Sequence, residues 1–470
     1  MTGTTSCVLR RVEALGLSWA LGLALFTALY FGLYLAGTPA VPDVCVVGLL
    51  TVGIVGAGSL MLRVLDRGVS VSGVTGTAGM TSGPRDILSS VVTVVCLGVA
   101  TIQVGMACWL AARAPFGAWD AWSFWAFKAR MFAAGGPRPG YFRDPLTILT
   151  HPDYPLNAPL AEAALLRVAG NPGVVLAALI GPVCLAALLL LLYAGLARLY
   201  GPAPAALAVA ALSCIPELPR QAASGNADVP LAMYCGAATL YLLSWWRLRR
   251  PSDVVLMALL AGGGAWTKKE GLPIALLLLA ACAAGEVLRY YSLRRGGRQS
   301  GATPRVSIRR ALGVGLAALV LPLPWLVFCR VVHPLGRDFL PLTPAVFLTH
   351  AGRLPHIGAM FLLQTLAFGN WSLLWPLLAA ALISKARLLS PAAWGLAALL
   401  LSQVGVYAVS FVFSDWQPYT AHIQTSLDRL LVQAAPLAVL LLVEVVTLPR
   451  TALPVAAGVG AAPRSRSVAA

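Results

Sequence analysis

Apolar stretches of about twenty residues recur along this whole chain, and that recurrence limits its fold more than any other feature. Each stretch, wound as a helix, is long enough to cross a hydrocarbon layer of about 30 Å. The 470 residues are 59% hydrophobic and only 11% charged, where an ordinary soluble domain carries about 25% charge. Mean hydropathy is +0.81. The expected fold is an all-α polytopic membrane protein of about twelve transmembrane helices. Spans are predicted near 14–36, 43–62, 87–112, 173–197, 204–218, 229–246, 253–266, 271–288, 311–331, 358–384, 391–412 and 430–448. They divide the chain into N-terminal spans (1–112), a long loop (113–172), a span-rich core (173–448) and a tail (449–470). The first run is too long for a signal-peptide core and reads as a retained span.

The distribution of charge orients the spans. Arg10, Arg11, Arg63, Arg67, Arg85, the "RLRR" of 247–250, the arginine-rich loop 289–310, Lys385, Arg387 and the tail arginines share one face. The positive-inside rule makes that face cytoplasmic. The net charge of +17 then reports membrane orientation and contact with anionic lipid. No RNP-like, zinc-finger or helix-turn-helix pattern points to nucleic acid. The nine cysteines form no C-x-x-C pair and lie mostly in apolar runs, as small buried hydrophobes. The opposite face, or its edge, holds all five histidines and most of the seventeen acids. Histidine and carboxylate are proton-handling groups, so chemistry is expected outside.

Five outer motifs carry the candidates. "WDAWSFWAFKARM" (Trp119–Met131) sets Trp119, Trp122 and Trp125 at three-residue spacing, one aromatic stripe on a helix, while Asp120, Phe124 and Lys128 share another face. Tryptophans suit a membrane interface; the acid does not follow from that. In "HPDYPL", Pro152 and Pro155 bar a helix and present His151, Asp153 and Tyr154 stiffly. "SGNADVP" puts Asp228 at a span start, where a capping role and a cavity role are both open. "TKKEGLP" leaves Lys268, Lys269 and Glu270 near membrane depth between two short apolar runs. Ionisable groups at that depth default to function, and two ammonium groups there suit a phosphate, though snorkelling lysines are the plainer alternative. The fifth motif, "SDWQPYTAHIQTSLDRLL", brings His422, Asp428 and Arg429 into the last span; Arg429 can make a bidentate contact with phosphate.

Those motifs, in this order and on one face, resemble the GT-C superfamily of integral membrane glycosyltransferases. The nearest branch is that of protein mannosyltransferases and lipid A aminoarabinose transferases. The resemblance implies a GT-C-like core with outer loops bearing interfacial helices, set multi-pass in a cell membrane, here a bacterial inner membrane. It implies a sugar donor linked to polyprenyl phosphate, with transfer outside the membrane to a lipid, glycan or protein acceptor. Asp120 would inherit the role of general base and the "TKKEG" lysines that of phosphate holders. Many relatives carry a second acid after the aspartate; here Ala121 follows, so no metal ligands are carried over. No cofactor is assigned, and use of a divalent ion stays open.

The residues support the same chemistry independently. A sugar phosphate already has a good leaving group, so the needs are a base for the acceptor hydroxyl and cations for the departing phosphate. Asp120 meets the first. Lys128, Arg130, Lys268, Lys269 and Arg429 are candidates for the second, with His151, Asp153, Tyr154, Asp228, Glu270, His422 and Asp428 as further substrate contacts. Two rivals remain at this level: a secondary transporter using the acids as ion sites, and a non-enzymatic or flippase-accessory protein of envelope glycan assembly. A transporter is expected to show an internal repeat and midplane charges. No repeat is evident and the charges cluster outside.

Overall fold

A computed structural model describes residues 3–37, 84–138, 140–295, 313–336 and 338–447. Among them the secondary structure is helical, apart from one isolated antiparallel bridge between Phe339 and Ser414. The expected span 43–62, Arg63, Arg67, most of the basic loop and the tail 449–470 lie outside the described residues.

The helices that frame the bundle and the site are α1 (Gly3–Leu35), α2 (Pro84–Arg113), α3 (Ala126–Ala133), α4 (Asn157–Ala169), α5 (Ile180–Tyr200), α6 (Asp228–Leu248), α7 (Pro251–Thr267), α8 (Gly271–Arg295), α9 (Pro391–Val412) and α10 (Tyr419–Val446). Among the described residues, six stretches are long and apolar enough to cross a membrane: Cys7–Leu35, Ile87–Arg113, Gly173–Tyr200, Gly271–Tyr291, Pro391–Val412 and Tyr419–Val446. Two bent pairs raise the number to eight. Both bends fall at prolines, near Pro216 and Pro322, so the expected spans 204–218 and 311–331 are angled by 65° and 68°. Expected crossings α6 and α7 are absent from that set, α7 having only 17 residues. They are nevertheless the centre of the bundle. α6 packs on α5, α7 and α10 and is buried from Asp228 to Trp245.

Two boundaries differ from expectation. The single span expected at 358–384 is three helices, Leu354–Thr365, Phe368–Trp371 and Leu374–Ser384. The break turns on Ser372 at a positive φ of 50°, and Arg220 donates to the Gly369 carbonyl at 3.1 Å and Asn370 Oδ1 at 3.0 Å beside it. The last helix starts at Tyr419, eleven residues before the expected span at 430, because Pro418 sets its entry and its polar first turns face a cavity.

The far ends of the same helices hold a second set of charges. Arg198 pairs with the buried Glu13, Tyr241 donates to Glu13 at 2.6 Å, and Arg247 and Tyr200 both reach the buried Glu444. These contacts tie the start of α1 to the ends of α5, α6 and α10. Cys184, Cys235 and Cys282 are buried as expected, but Cys214 is exposed; all described cysteines are free thiols.

Candidate active site

The turn carrying Asp120 meets the turn carrying Asp228 because Gly225 lies between them. Its φ is +83°, and a Cβ there would sit 2.8 Å from Phe116 Cδ1 and 3.1 Å from Ala121 Cβ. Only glycine allows both the left-handed backbone and the close approach. After Asp120 the chain makes a π-helical turn, Ala121–Trp125, before α3. That wider turn shifts the helical phase and breaks the expected tryptophan stripe. Trp119 is 70% exposed and edge-on to Trp122, whereas Trp125 is wholly buried.

Asp228 is the hub. It is fully buried at the first turn of α6, and that helix has no side-chain cap, so the capping alternative does not hold. Its Oδ1 accepts from Lys268 Nζ and Gln433 Nε2, each at 2.8 Å. Oδ2 accepts from Arg429 Nε at 3.0 Å. Arg429 then reaches Asp120 through Nη1. Gln433 is held by Tyr407 at 2.9 Å, which accepts from Gln403 at 2.7 Å. Lys268 also lies 3.1 Å from Glu270 and is 3% exposed. Burial alone would lower its ammonium, but Asp228 and Glu270 outweigh that and hold it above its ordinary value. Two lysines snorkelling toward water therefore do not describe "TKKEG". Asp428, inside α10 and not at its start, accepts from the Arg429 amide at 2.8 Å.

A second polar wall forms around "HPDYP". His151 adopts a left-handed backbone (φ 48°, ψ 65°), uncommon outside glycine, and its Nδ1 lies 3.2 Å from Asp338 Oδ2. Lys269 pairs with Asp153, lies 3.9 Å from Asp338 and sits 4.5 Å over the Tyr154 ring. Burial would raise the Asp338 carboxyl, but the bond to His151 and the charges of His151, Lys269 and His422 hold it well below the usual carboxylate range. Asp338 is placed by backbone pairing, Leu340 N to Phe413 O at 2.8 Å and Asp415 N to Asp338 O at 3.0 Å. His422 bonds Ser414 at 2.9 Å and stacks on Trp416 with ring centroids 4.8 Å apart.

The walls enclose a cavity of about 1060 Å³, lined by Asp120, His151, Tyr154, Lys268, Lys269, Glu270, Asp338, His422, Asp428 and Arg429 among others. Apolar side chains including Pro273, Leu342, Val406 and Val409 line it as well. Asn226 Oδ1 and Glu270 Oε2 are buried without a hydrogen-bond partner and belong to residues facing this space.

Two proposed phosphate partners lie elsewhere. Arg130 is exposed and is not part of the cavity lining. Lys128 is fully buried, donates to the His151 carbonyl at 2.8 Å and lies within 6 Å of the Phe124, Trp125 and Tyr154 rings. It supports the floor of the site because the π-helical turn swings it inward. Burial lowers its ammonium to about 7, against upward pulls from Asp153 and Glu162. The neighbouring Glu162, also buried, has its carboxyl raised well above the ordinary value by desolvation. No group of three or more histidine, cysteine or carboxylate side chains able to hold a metal ion occurs among the described residues.

Gln433 and Tyr407 lie outside the motifs legible in the sequence, and Trp416 and Asn226 lie within them without a site role of their own. Gln403 and Tyr407, four apart within an apolar helix, and Gln433 in the next one were the available signal, since amides and phenols inside a membrane need partners. In the sequence Asp338 is only one of the outer acids, with no motif around it.

No curated protein and no solved structure matches this chain. A family match covers a little over a third of it. The matched segment contains Asp153, Asp228, Lys268, Lys269 and Glu270, and stops short of Asp120 and Arg429. Residues 153–327 match the family model described as dolichyl-phosphate-mannose-protein mannosyltransferase, a membrane glycosyltransferase family of GT-C type that uses polyprenyl-phosphate-linked sugar donors, and at that level the chain is a multi-pass membrane glycosyltransferase.

Proposed function

We propose that this protein transfers a sugar from a polyprenyl-phosphate donor to an acceptor hydroxyl on the extracytoplasmic side of a bacterial inner membrane, with Asp120 as general base. The observation that carries the reading is the convergence of Asp120, Arg429, Asp228 and Lys268 in one ion-paired chain beside a large cavity. Lys269 and Arg429 are the cations placed to meet a phosphate: both line the cavity and both keep some exposure. The apolar side chains of Pro273, Val406 and Val409 offer the adjoining surface that a polyprenyl tail requires. Asp120 keeps about a third of its side chain exposed, as a base that must reach an acceptor hydroxyl would.

Chemically, the acceptor oxygen attacks the anomeric carbon as its proton passes to Asp120, and the carbon–oxygen bond to the phosphate breaks. The leaving polyprenyl phosphate gains negative charge, which Arg429 and Lys269 offset. The test is transfer of label from a panel of polyprenyl-phosphate sugars to native membrane extract, by the wild type and by Asp120→Asn. Transfer by the wild type with loss in the variant is expected. Failure of every donor with the wild type would remove the reading.

A further inference from the structure

We propose that Arg429 is a pivoting counter-ion that covers Asp120 until a phosphate anion enters the cavity, so that the donor binds before the acceptor. The inference rests on the functional reading above and adds a mechanism of control to the same site.

The argument begins with the unequal footing of the two carboxylates that Arg429 touches. Asp228 is fully buried and keeps two other donors, Lys268 Nζ and Gln433 Nε2, both on Oδ1 at 2.8 Å. Gln433 is itself fixed through Tyr407 and Gln403. Asp228 is therefore a post held at Oδ1 independently of Arg429, and its buried Oδ2 can keep the Arg429 Nε bond while the Nη limb turns. Asp120 has no such support: its side chain is about a third exposed, and the Arg429 guanidinium is its ion-pair partner among the described residues. Arg429 grips the post through Nε at 3.0 Å and Asp120 through Nη1. Rotation that keeps the Nε bond swings the Nη limb away from Asp120 and into the cavity that both residues line.

A phosphate is the partner that could drive this swing. The guanidinium fork matches two phosphate oxygens as well as it matches a carboxylate. In the pivoted state Asp120 loses a cation and gains an anion nearby, and both changes strengthen it as a proton acceptor. In the empty site its Oδ2 is held by the Arg429 N–H, which keeps one of the two carboxylate oxygens from the acceptor hydroxyl. Donor phosphate thereby uncovers the base at the moment it is needed.

The test reads the Asp120 carboxyl directly, without turnover. Purified full-length protein is treated with a carbodiimide and a nucleophilic amine at mildly acidic pH, and modification of the Asp120 peptide is followed by mass spectrometry. The additions are a polyprenyl phosphate, the uncharged prenol of equal length, and inorganic phosphate, with binding of radiolabelled polyprenyl phosphate measured in parallel. Polyprenyl phosphate is expected to speed Asp120 modification roughly tenfold, the scale of one lost charge-assisted hydrogen bond. Prenol should have no effect, and inorganic phosphate should act only at much higher concentration. Arg429→Gln should be modified quickly with or without phosphate; Arg429→Lys, which keeps the charge but cannot span both carboxylates, should behave alike and guards against a folding defect in the first variant. Binding of polyprenyl phosphate with unchanged or slowed Asp120 modification overturns the pivot while leaving the phosphate site standing. An equal response to prenol overturns it as well, and equal potency of inorganic phosphate overturns the donor-first order. Absence of binding overturns the pivot together with the functional reading beneath it.

Discussion

Replacing Asp228 should damage the protein more than replacing any other acid at the cavity, and the damage should be partly repaired by removing Lys268. Asp228→Ala deletes an acceptor that is fully buried and bonded to Lys268, Gln433 and Arg429. Breaking a buried ion pair from one side costs about 3–5 kcal/mol, because the remaining charge has been desolvated without compensation. Lys268 bears most of that cost here: it is 3% exposed, and its other carboxylate, Glu270 at 3.1 Å, keeps part of its side chain in water. Arg429 retains Asp120 and some solvent, so it contributes less. Lys268→Met alone leaves Asp228 with Arg429 and Gln433 and should be the milder single change. In the double variant no uncompensated ammonium remains, so the charge penalty is removed and the cost left is that of the volume lost in Asp228→Ala. The coupling between the two sites is then expected in the range of about 0.5–3 kcal/mol measured for residues sharing one network. Melting midpoints of the four proteins in one detergent supply the cycle. Strict additivity, with the double variant as weak as the sum of the singles, would refute the claim that Asp228 exists to neutralise Lys268.

Three further outcomes follow from the same geometry. Asp120→Asn should reduce transfer by about 10²–10⁴-fold, the usual worth of a general base, with expression unchanged; retention of more than a tenth of the activity in the label-transfer assay would remove the assignment. Lys269→Met should weaken donor binding by roughly tenfold or more, the scale of a charge-assisted hydrogen bond, whereas Lys268→Met should show mainly as lower stability; equal donor affinity in wild type and Lys269→Met would move the phosphate away from that wall. For topology, a cysteine at Leu146, 89% exposed, should react with an impermeant reagent from outside and one at Gly297 in the basic loop should not; the reverse pattern would turn the site toward the cytoplasm.

Much of this arrangement could be read from the sequence because membrane burial makes charge conspicuous. Asp120, Asp228, Lys268 and Arg429 stand apart from the arginine-rich segments of the sequence, so span counting grouped them, and the fold brings them into one ion-paired chain. What the sequence withheld was pairing. Lys268 and Lys269 are adjacent and chemically alike, yet one is locked to Asp228 and Glu270 and the other faces Asp153 and Asp338. That difference arises from the backbone turn between α7 and α8, where Lys268 is extended and Lys269 begins the next turn. Phase was withheld too. A regular helix from Trp119 would have aligned three tryptophans; the π-helical turn buries the third and carries Lys128 under the site. Helix ends were misplaced where polar residues face a cavity, as over 419–429, since hydropathy treats a cavity wall as if it were water.

The buried Lys128 supplies a last test, because its placement has a pH signature that a surface lysine lacks. Burial lowers its ammonium from 10.5 to about 7, so the unfolded chain binds a proton between those values that the folded protein does not. Stability rises with pH wherever the unfolded state binds more protons. The destabilising contribution of Lys128 is therefore complete below about pH 7 and is progressively relieved as pH rises toward 10.5. Lys128→Met removes that dependence and leaves a constant term for the lost bond to the His151 carbonyl. The melting midpoint of the wild type should thus gain on that of the variant between pH 6.5 and 9 (roughly the span in which a group of this kind titrates), in a common detergent and ionic strength. Parallel curves across that range would show that Lys128 stays charged or solvated in the folded protein. A charged Lys128 would still donate to the His151 carbonyl, with Asp153 and Glu162 offsetting its charge, and the neutral-amine account of its burial would be the part refuted.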